Sequence, residues 1–342
     1  IVALAASAAA ATPQPQFALD PHAGSWLRGP SLPEPRQDAA SAVLDGRIYI
    51  IGGFGDDSRA TDTTFVLEPP AGVAESPPPN QEIPPIVPLG TWMTAQPIPE
   101  PVDHAAAASL DGYLYVAGGS VENVVSNKFW RYDPIADAWT SIAPMPVARY
   151  GATMQAFDGK LYLFGGATSH GDDEMSIEVY DPSTRAWTLR SNELGVERYM
   201  AASALFDDRI ALVGGRSRAE QNMTSCDLYD PARDRWTTCS NMHDARSGFG
   251  LADVDRQLFA IGGVNILTGL VTQTTEISGV NGQGWMDGHW LPSPRQGMSV
   301  AVLGHTVWVV GGSFWDATSP TTSVLRYVIP LVRVKLQGRA GQ

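Results

Sequence analysis

Five arginines recur in one phase along the chain, at Arg36, Arg149, Arg198, Arg246 and Arg295, each sixteen residues before a Gly-Gly pair. Val102 holds the sixth such position. The residues that follow are Gln37, Tyr150, Tyr199, Ser247 and Gln296, with Asp103-His104 after Val102. A guanidinium holds a carboxylate through charge-assisted hydrogen bonds, and Asp, His and Tyr carry protons. If these loops converge, they form a pocket for an anionic ligand, with Asp103, His104, Tyr150 and Tyr199 as its proton carriers. The rival reading has each arginine bracing its neighbours through carbonyls and acidic side chains. His104 and the tyrosines do not recur with the pattern, so each is a better ligand candidate than any one arginine.

Other chemistries find little support. The six histidines are scattered, without HxH or HxxxH spacing, so neither a metal nor a cofactor is expected. The run His170-Gly171-Asp172-Asp173-Glu174 is acidic enough to attract a cation, but reads more simply as a solvated loop. No GxSxG or P-loop motif is present. A net charge of −13 leaves no basic footprint for nucleic acid. The two cysteines, Cys226 and Cys239, flank a segment in which Tyr229 and Trp236 bracket a turn. If those two lie opposite each other on antiparallel strands, so do the cysteines, within disulfide reach. A one-residue slip in register would instead leave two unbonded thiols.

The elements that position these residues follow from the glycines. Six apolar segments end in a pair: RIYIIGG, LYVAGG, LYLFGG, IALVGG, LFAIGG and VWVVGG. Their first glycines stand at 52, 118, 165, 214, 262 and 311, so the chain repeats about every fifty residues, with one longer first interval. Glycine weakens a strand, and six such weaknesses imply one structural need: a backbone turn where a Cβ would strike the neighbouring repeat. Asp45-Gly46, Asp111-Gly112 and Asp158-Gly159 supply two-residue hairpin turns before the glycine-ended strands. Tyr-Asp-Pro recurs at 132–134, 180–182 and 229–231. Tryptophan recurs at 26, 92, 139, 187, 236 and 285.

Arginine, turn, diglycine, Tyr-Asp-Pro and tryptophan in this order resemble the kelch-repeat family over roughly residues 25–330. The resemblance implies an all-β fold: a six-bladed propeller of four antiparallel strands per blade. In that fold the arginine loops and the loops after each diglycine open on one face, around the central mouth. SWLRGP at 25–30 has the pattern of an outer strand and is expected to close the ring by completing the sixth blade. The C-terminal LVRVKL at 331–336 is the rival for that place.

Residues 1–24 read as the remnant of a signal peptide and a linker, with an apolar start and the small residues Ala6-Ser7-Ala8. Residues 331–342 read as a tail or extra strand. No uncharged run is long enough to span a bilayer. A secreted or periplasmic monomer is therefore expected. The Pro-rich stretch at 68–90 is an insertion between third and fourth strands, and Asn222-Met223-Thr224 is a glycosylation sequon on a loop. Kelch resemblance implies a non-enzymatic module binding a protein or glycan, anionic in character, through the arginine-side face. Its alternative is a sialic-acid mutarotase, since exported six-blade kelch proteins include such enzymes. Galactose-oxidase relatives need a copper centre with a cysteine ligand, and neither cysteine lies near the arginine loops.

Overall fold

The computed structural model of the chain describes residues 16–68, 90–169, 175–190, 195, 197–217, 219, 221–315 and 319–334. Six four-stranded antiparallel sheets stand around one axis, with their inner strands contacting each other in a closed circle. The inner strands are Ala40–Leu44, Ala106–Leu110, Thr153–Phe157, Ala202–Phe206, Gly250–Val254 and Ser299–Leu303. Small residues dominate them because they crowd at the axis. At Gly250 an added Cβ would lie 1.9 Å from a Val300 methyl of the next blade.

Each second strand, such as Arg47–Ile51 or Lys160–Phe164, is buried along four of its five residues. Adjacent blades cover both of its faces, which is why the run is continuously apolar rather than alternating. Burying one such Val, Ile, Leu or Phe contributes about 1.5–3 kcal/mol. The terminal glycines behave as their recurrence implies. A Cβ on Gly52 or Gly311 would stand 2.3 Å from the carbonyl oxygen of Val102 or Arg36 in the next blade. The second glycine of each pair donates its N–H to that same carbonyl. Both glycines have positive φ, so the close approach and the backbone turn select the residue together.

Tyrosine and tryptophan pack across the third and outer strands, at centroid distances of 5.0 Å for Tyr132–Trp139 and Tyr229–Trp236 and 5.3 Å for Tyr180–Trp187. The indoles of Trp92, Trp139 and Trp187 also donate to carbonyls of Pro30, Gln96 and Ala143, tying each outer strand to the preceding blade.

Ring closure uses the N-terminal strand. Ser25–Arg28 pairs with Val324–Val328, Trp26 opposite Tyr327, and completes the sixth blade. The C-terminal Leu331–Val334 pairs instead with Gln16–Leu19, outside any blade. The Pro-rich insertion begins one residue later than its sequence implied: Glu68 is still in the third strand, paired with Thr91. Residues 69–89, the acidic run at 170–174, residues 1–15 and residues 335–342 lie outside the described residues.

Candidate functional site

The motif arginines do not line the mouth. Their side chains are 0–3% exposed and lie beneath the loop face. Arg149 donates to the Gly165 and Ser176 carbonyls, to Ser176 Oγ and, at 2.6 Å, to Glu178 Oε1. Arg198 reaches Asp227, and Arg246 reaches Glu276 and Asp244. Arg36 takes Glu34 and Thr63 and sits 5.0 Å from the Phe65 ring centroid. Among the described residues Arg295 donates to carbonyls and hydroxyls, those of Gly311, Ser323 and Ser293, and lies 5.2 Å from the Phe314 ring centroid. Burial without an acid pulls its pKa down to about 10. The expectation of an arginine-lined pocket is thus corrected. The guanidinia of Arg149, Arg198, Arg246 and Arg295 each donate to the first diglycine carbonyl of their own blade, whereas Arg36 donates to the Pro35 carbonyl, Glu34 and Thr63. Gln37 is buried too, and its backbone pairs with Phe54, while Gln296 is half-buried and pairs with Ser313.

What surrounds the mouth is the second residue after each motif position: Asp38, His104, Gly151, Met200, Gly248 and Gly297. All six have φ between 49° and 63°. The N–H of each donates to the carbonyl of the equivalent residue in the preceding blade, and Asp38 donates to Gly297 at 2.7 Å. Six backbone hydrogen bonds therefore form a closed collar through every blade. Left-handed backbone is easy for the three glycines and strained for Asp38, His104 and Met200. Those three side chains are what the collar presents to the mouth, a shallow cavity of about 150 Å³.

His104 is the centre of the polar part. Its Nδ1 is 2.7 Å from Asp103 Oδ1 and its Nε2 is 3.5 Å from Asp38 Oδ2. Burial by itself would lower the His104 pKa. The charge of Asp38 and the hydrogen bond to Asp103 outweigh it, and the pKa lies above the ordinary histidine value, with nearby Arg216 opposing. Aromatic rings continue the arc. Phe54 is 5.7 Å from His104, His104 is 5.9 Å from Tyr150, and Tyr150 is 6.0 Å from Tyr199. The arc ends at Arg216, whose guanidinium carbon lies 4.6 Å from the Tyr199 ring centroid. Among the described residues Arg216 has no carboxylate partner.

The structure therefore brings Asp103, His104, Tyr150 and Tyr199 together across blades two to four, and adds Phe54, Asp38 and Arg216. Phe54 and Arg216 occupy the position after the diglycine, filled elsewhere by Ser120, Ala167, Val264 and Ser313. One arginine among small or apolar residues was the available sign. Asn222, the sequon residue, is engaged rather than free: its Nδ2 donates to Ser247 Oγ and the Val264 carbonyl, and its Oδ1 accepts from Ile266 N–H. Cys226 and Cys239 are joined in a disulfide with Cα atoms 5.1 Å apart.

The repeat geometry matches known families. A model described as the KLHDC2/KLHL20/DRC7 Kelch-repeats domain matches residues 90–263, and the Kelch motif matches residues 35–71. The chain belongs to the kelch-repeat family. Relatives include Kelch-like protein 35 of Mus musculus, 29% identical over 167 residues, and Kelch repeat and BTB domain-containing protein 1 of cowpox virus, 28% identical over 168. Each alignment covers 48% of this chain and about a quarter of the relative, 25% and 26% respectively. Beta-scruin of Limulus polyphemus is 26% identical over 46% of this chain and 16% of its own length. Among solved structures, that of YjhT superposes with a TM-score of 0.72 over 90% of this chain and 98% of its own, at 18% identity, a likeness of fold. No helix among the described residues is long and apolar enough to cross a membrane.

Proposed function

We propose that this kelch propeller is a monomeric binding module that recognises a protein or glycan through its loop face. The observation that carries the reading is the arc Phe54–His104–Tyr150–Tyr199 ending at Arg216, which has no carboxylate partner among the described residues. Aromatic faces offer large contact area at little entropic cost, and such a guanidinium suits a carboxylate. The loops after the diglycines on the same face also carry the exposed apolar residues Val124, Leu267, Leu270 and Trp315. A secreted or periplasmic location fits the disulfide, because such bonds persist in oxidising compartments. Glycan-array and affinity-capture binding by the purified chain test this. Tyr150→Ala and Arg216→Ala are expected to weaken binding at least tenfold, the loss typical of a central interface residue. Unchanged binding in both would refute it.

A second reading is favoured by His104 alone. A histidine between two carboxylates, beside Arg216, has the parts needed to move a proton on a carboxylated sugar, as a sialic-acid mutarotase must. NMR of anomer exchange with wild type and His104→Gln separates the two readings.

A further inference from the structure

A second cavity lies on the opposite, hairpin face of the propeller. It has a volume of about 440 Å³ and sits between the two hairpins of blade four, against Phe157 of blade three. Arg209, Arg233 and Arg235 line it, together with Asp207, Asp208 and Asp230.

Its unusual feature is an exchange of partners. In blades one and three the basic residue that begins the second strand pairs with the acid that ends the third: Arg47 with Glu68 and Lys160 with Asp181, each at 2.7 Å. Arg209 begins the second strand of blade four, and the register places it opposite Asp230. Asp230 is already taken. Its Oδ2 accepts from Arg233 at 2.7 Å, and its Oδ1 accepts the N–H groups of Ala232 and Arg233. Arg233, in the turn, has replaced Arg209 on its carboxylate. Asp207 is likewise held, by Arg256. Arg209 and Arg235 are left without a carboxylate among the described residues, and both face the cavity. The lining itself carries three guanidinia and three carboxylates, in a chain that carries −13 overall.

We infer that this cavity binds a tetrahedral oxyanion carried on a small molecule of about sugar size, a phosphate or sulfate monoester, with Arg209 and Arg235 as its forks. Guanidinium groups match such oxygens in paired, charge-assisted bonds. The volume exceeds that of an inorganic ion, and the acidity of the whole chain disfavours a long polyanion. Phe157 at the cavity edge provides an apolar surface for the remainder of the ligand.

Calorimetric titration of the full chain with glucose 6-phosphate, glucose 6-sulfate, inorganic phosphate and glucose tests this. Either ester should bind saturably and more tightly than inorganic phosphate, with glucose silent, and the two esters distinguish a phosphorylated from a sulfated ligand. Arg209→Gln and Arg235→Gln should each weaken the ester about tenfold, as expected for a lost hydrogen bond to a charged group. Arg59→Gln, an exposed arginine on the other face, should not. Arg235 is exposed, so its variant remains informative if Arg209→Gln fails to fold. The inference is overturned if neither ester saturates by about 10 mM, if inorganic phosphate binds as well as the esters, or if the Arg235→Gln affinity is unchanged.

Discussion

Replacing Glu178 by leucine tests the reading of the motif arginines as braces. Arg149 and Glu178 are both fully buried and bonded at 2.6 Å, and the same carboxylate oxygen accepts the Val147 N–H at 3.2 Å. The variant removes the Glu178 carboxylate from Arg149, which keeps the Gly165 carbonyl and Ser176 among its bonds. Blade six lacks a third-strand acid, because Leu325 stands where Glu178 does, and among the described residues Arg295 has the Gly311 and Ser323 carbonyls, serine hydroxyls and the Phe314 ring. There burial pulls the pKa well below the ordinary arginine value, to about 10. At about 1.4 kcal/mol per pH unit, burying an unpaired guanidinium costs about 3 kcal/mol. Orphaning the Val147 N–H adds to this, so Glu178→Leu should destabilise by about 3–5 kcal/mol, the range seen when one partner of a buried pair is removed. Urea titration followed by tryptophan fluorescence reads the loss from the midpoint. Blade two shows the apolar solution to the same position, Val102 against Trp130, each 1% exposed. Arg149→Val with Glu178→Trp copies it and should recover more than half of the loss. A single-variant loss below about 1 kcal/mol would refute the argument, since it would mean that the carboxylate does not compensate the buried cation.

Four further outcomes are expected. Asp253 has a buried oxygen without a hydrogen-bond partner among the described residues, and burial first, then Asp207 and Asp255 against Arg256, push its pKa up to about 6. Its neutral form is favoured in the fold, so stability is highest below the ordinary aspartate value and falls as pH rises to about 6. Asp253→Asn should raise the midpoint at pH 7 by about 1–3 kcal/mol and change nothing below pH 4. The raised His104 pKa has the same sign at higher pH. Its contribution is complete below about pH 6.5 and lost as pH rises through the folded value, and His104→Gln should flatten melting temperature against pH in that window. Joining Glu68 to Thr91 by a two-residue turn in place of the insertion should change stability by less than about 1 kcal/mol, because those residues already pair. Reducing Cys226–Cys239, which closes a separation of 13 residues, should cost about 2–3 kcal/mol in the same titration, and intact mass without reductant should show no free thiol.

Much of the fold was legible because repetition turns weak signals into a strong one. One Gly-Gly could serve many purposes, but six at a common phase leave only a steric need shared by six blades, and the carbonyls 2.3 Å from any Cβ at Gly52 and Gly311 are that need. The cysteine pairing was legible for a related reason: Tyr229 opposite Trp236 sets the register, and Asp227 opposite Thr238 extends it to the disulfide. The arginines were different. Their spacing marks the loop but not the direction of the side chain. That direction is set by partners scattered along the chain: Glu178, Asp227 or Glu276 inside the third strand in three blades, and in the other two the groups that hold Arg36 and Arg295, both buried without such an acid.

The collar was hidden by its own mixture of residues. Asp38, His104 and Met200 do not look equivalent to Gly151, Gly248 and Gly297. Only their shared left-handed backbone and the bonds linking one blade to the next reveal a common role. A glycine there satisfies the fold alone. A side chain there is strained and needs a compensating gain, which His104 finds between Asp103 and Asp38. Strain retained at three of six equivalent positions, all projecting into one mouth beside Arg216, is the physical reason to place recognition at that mouth rather than at the arginines beneath it.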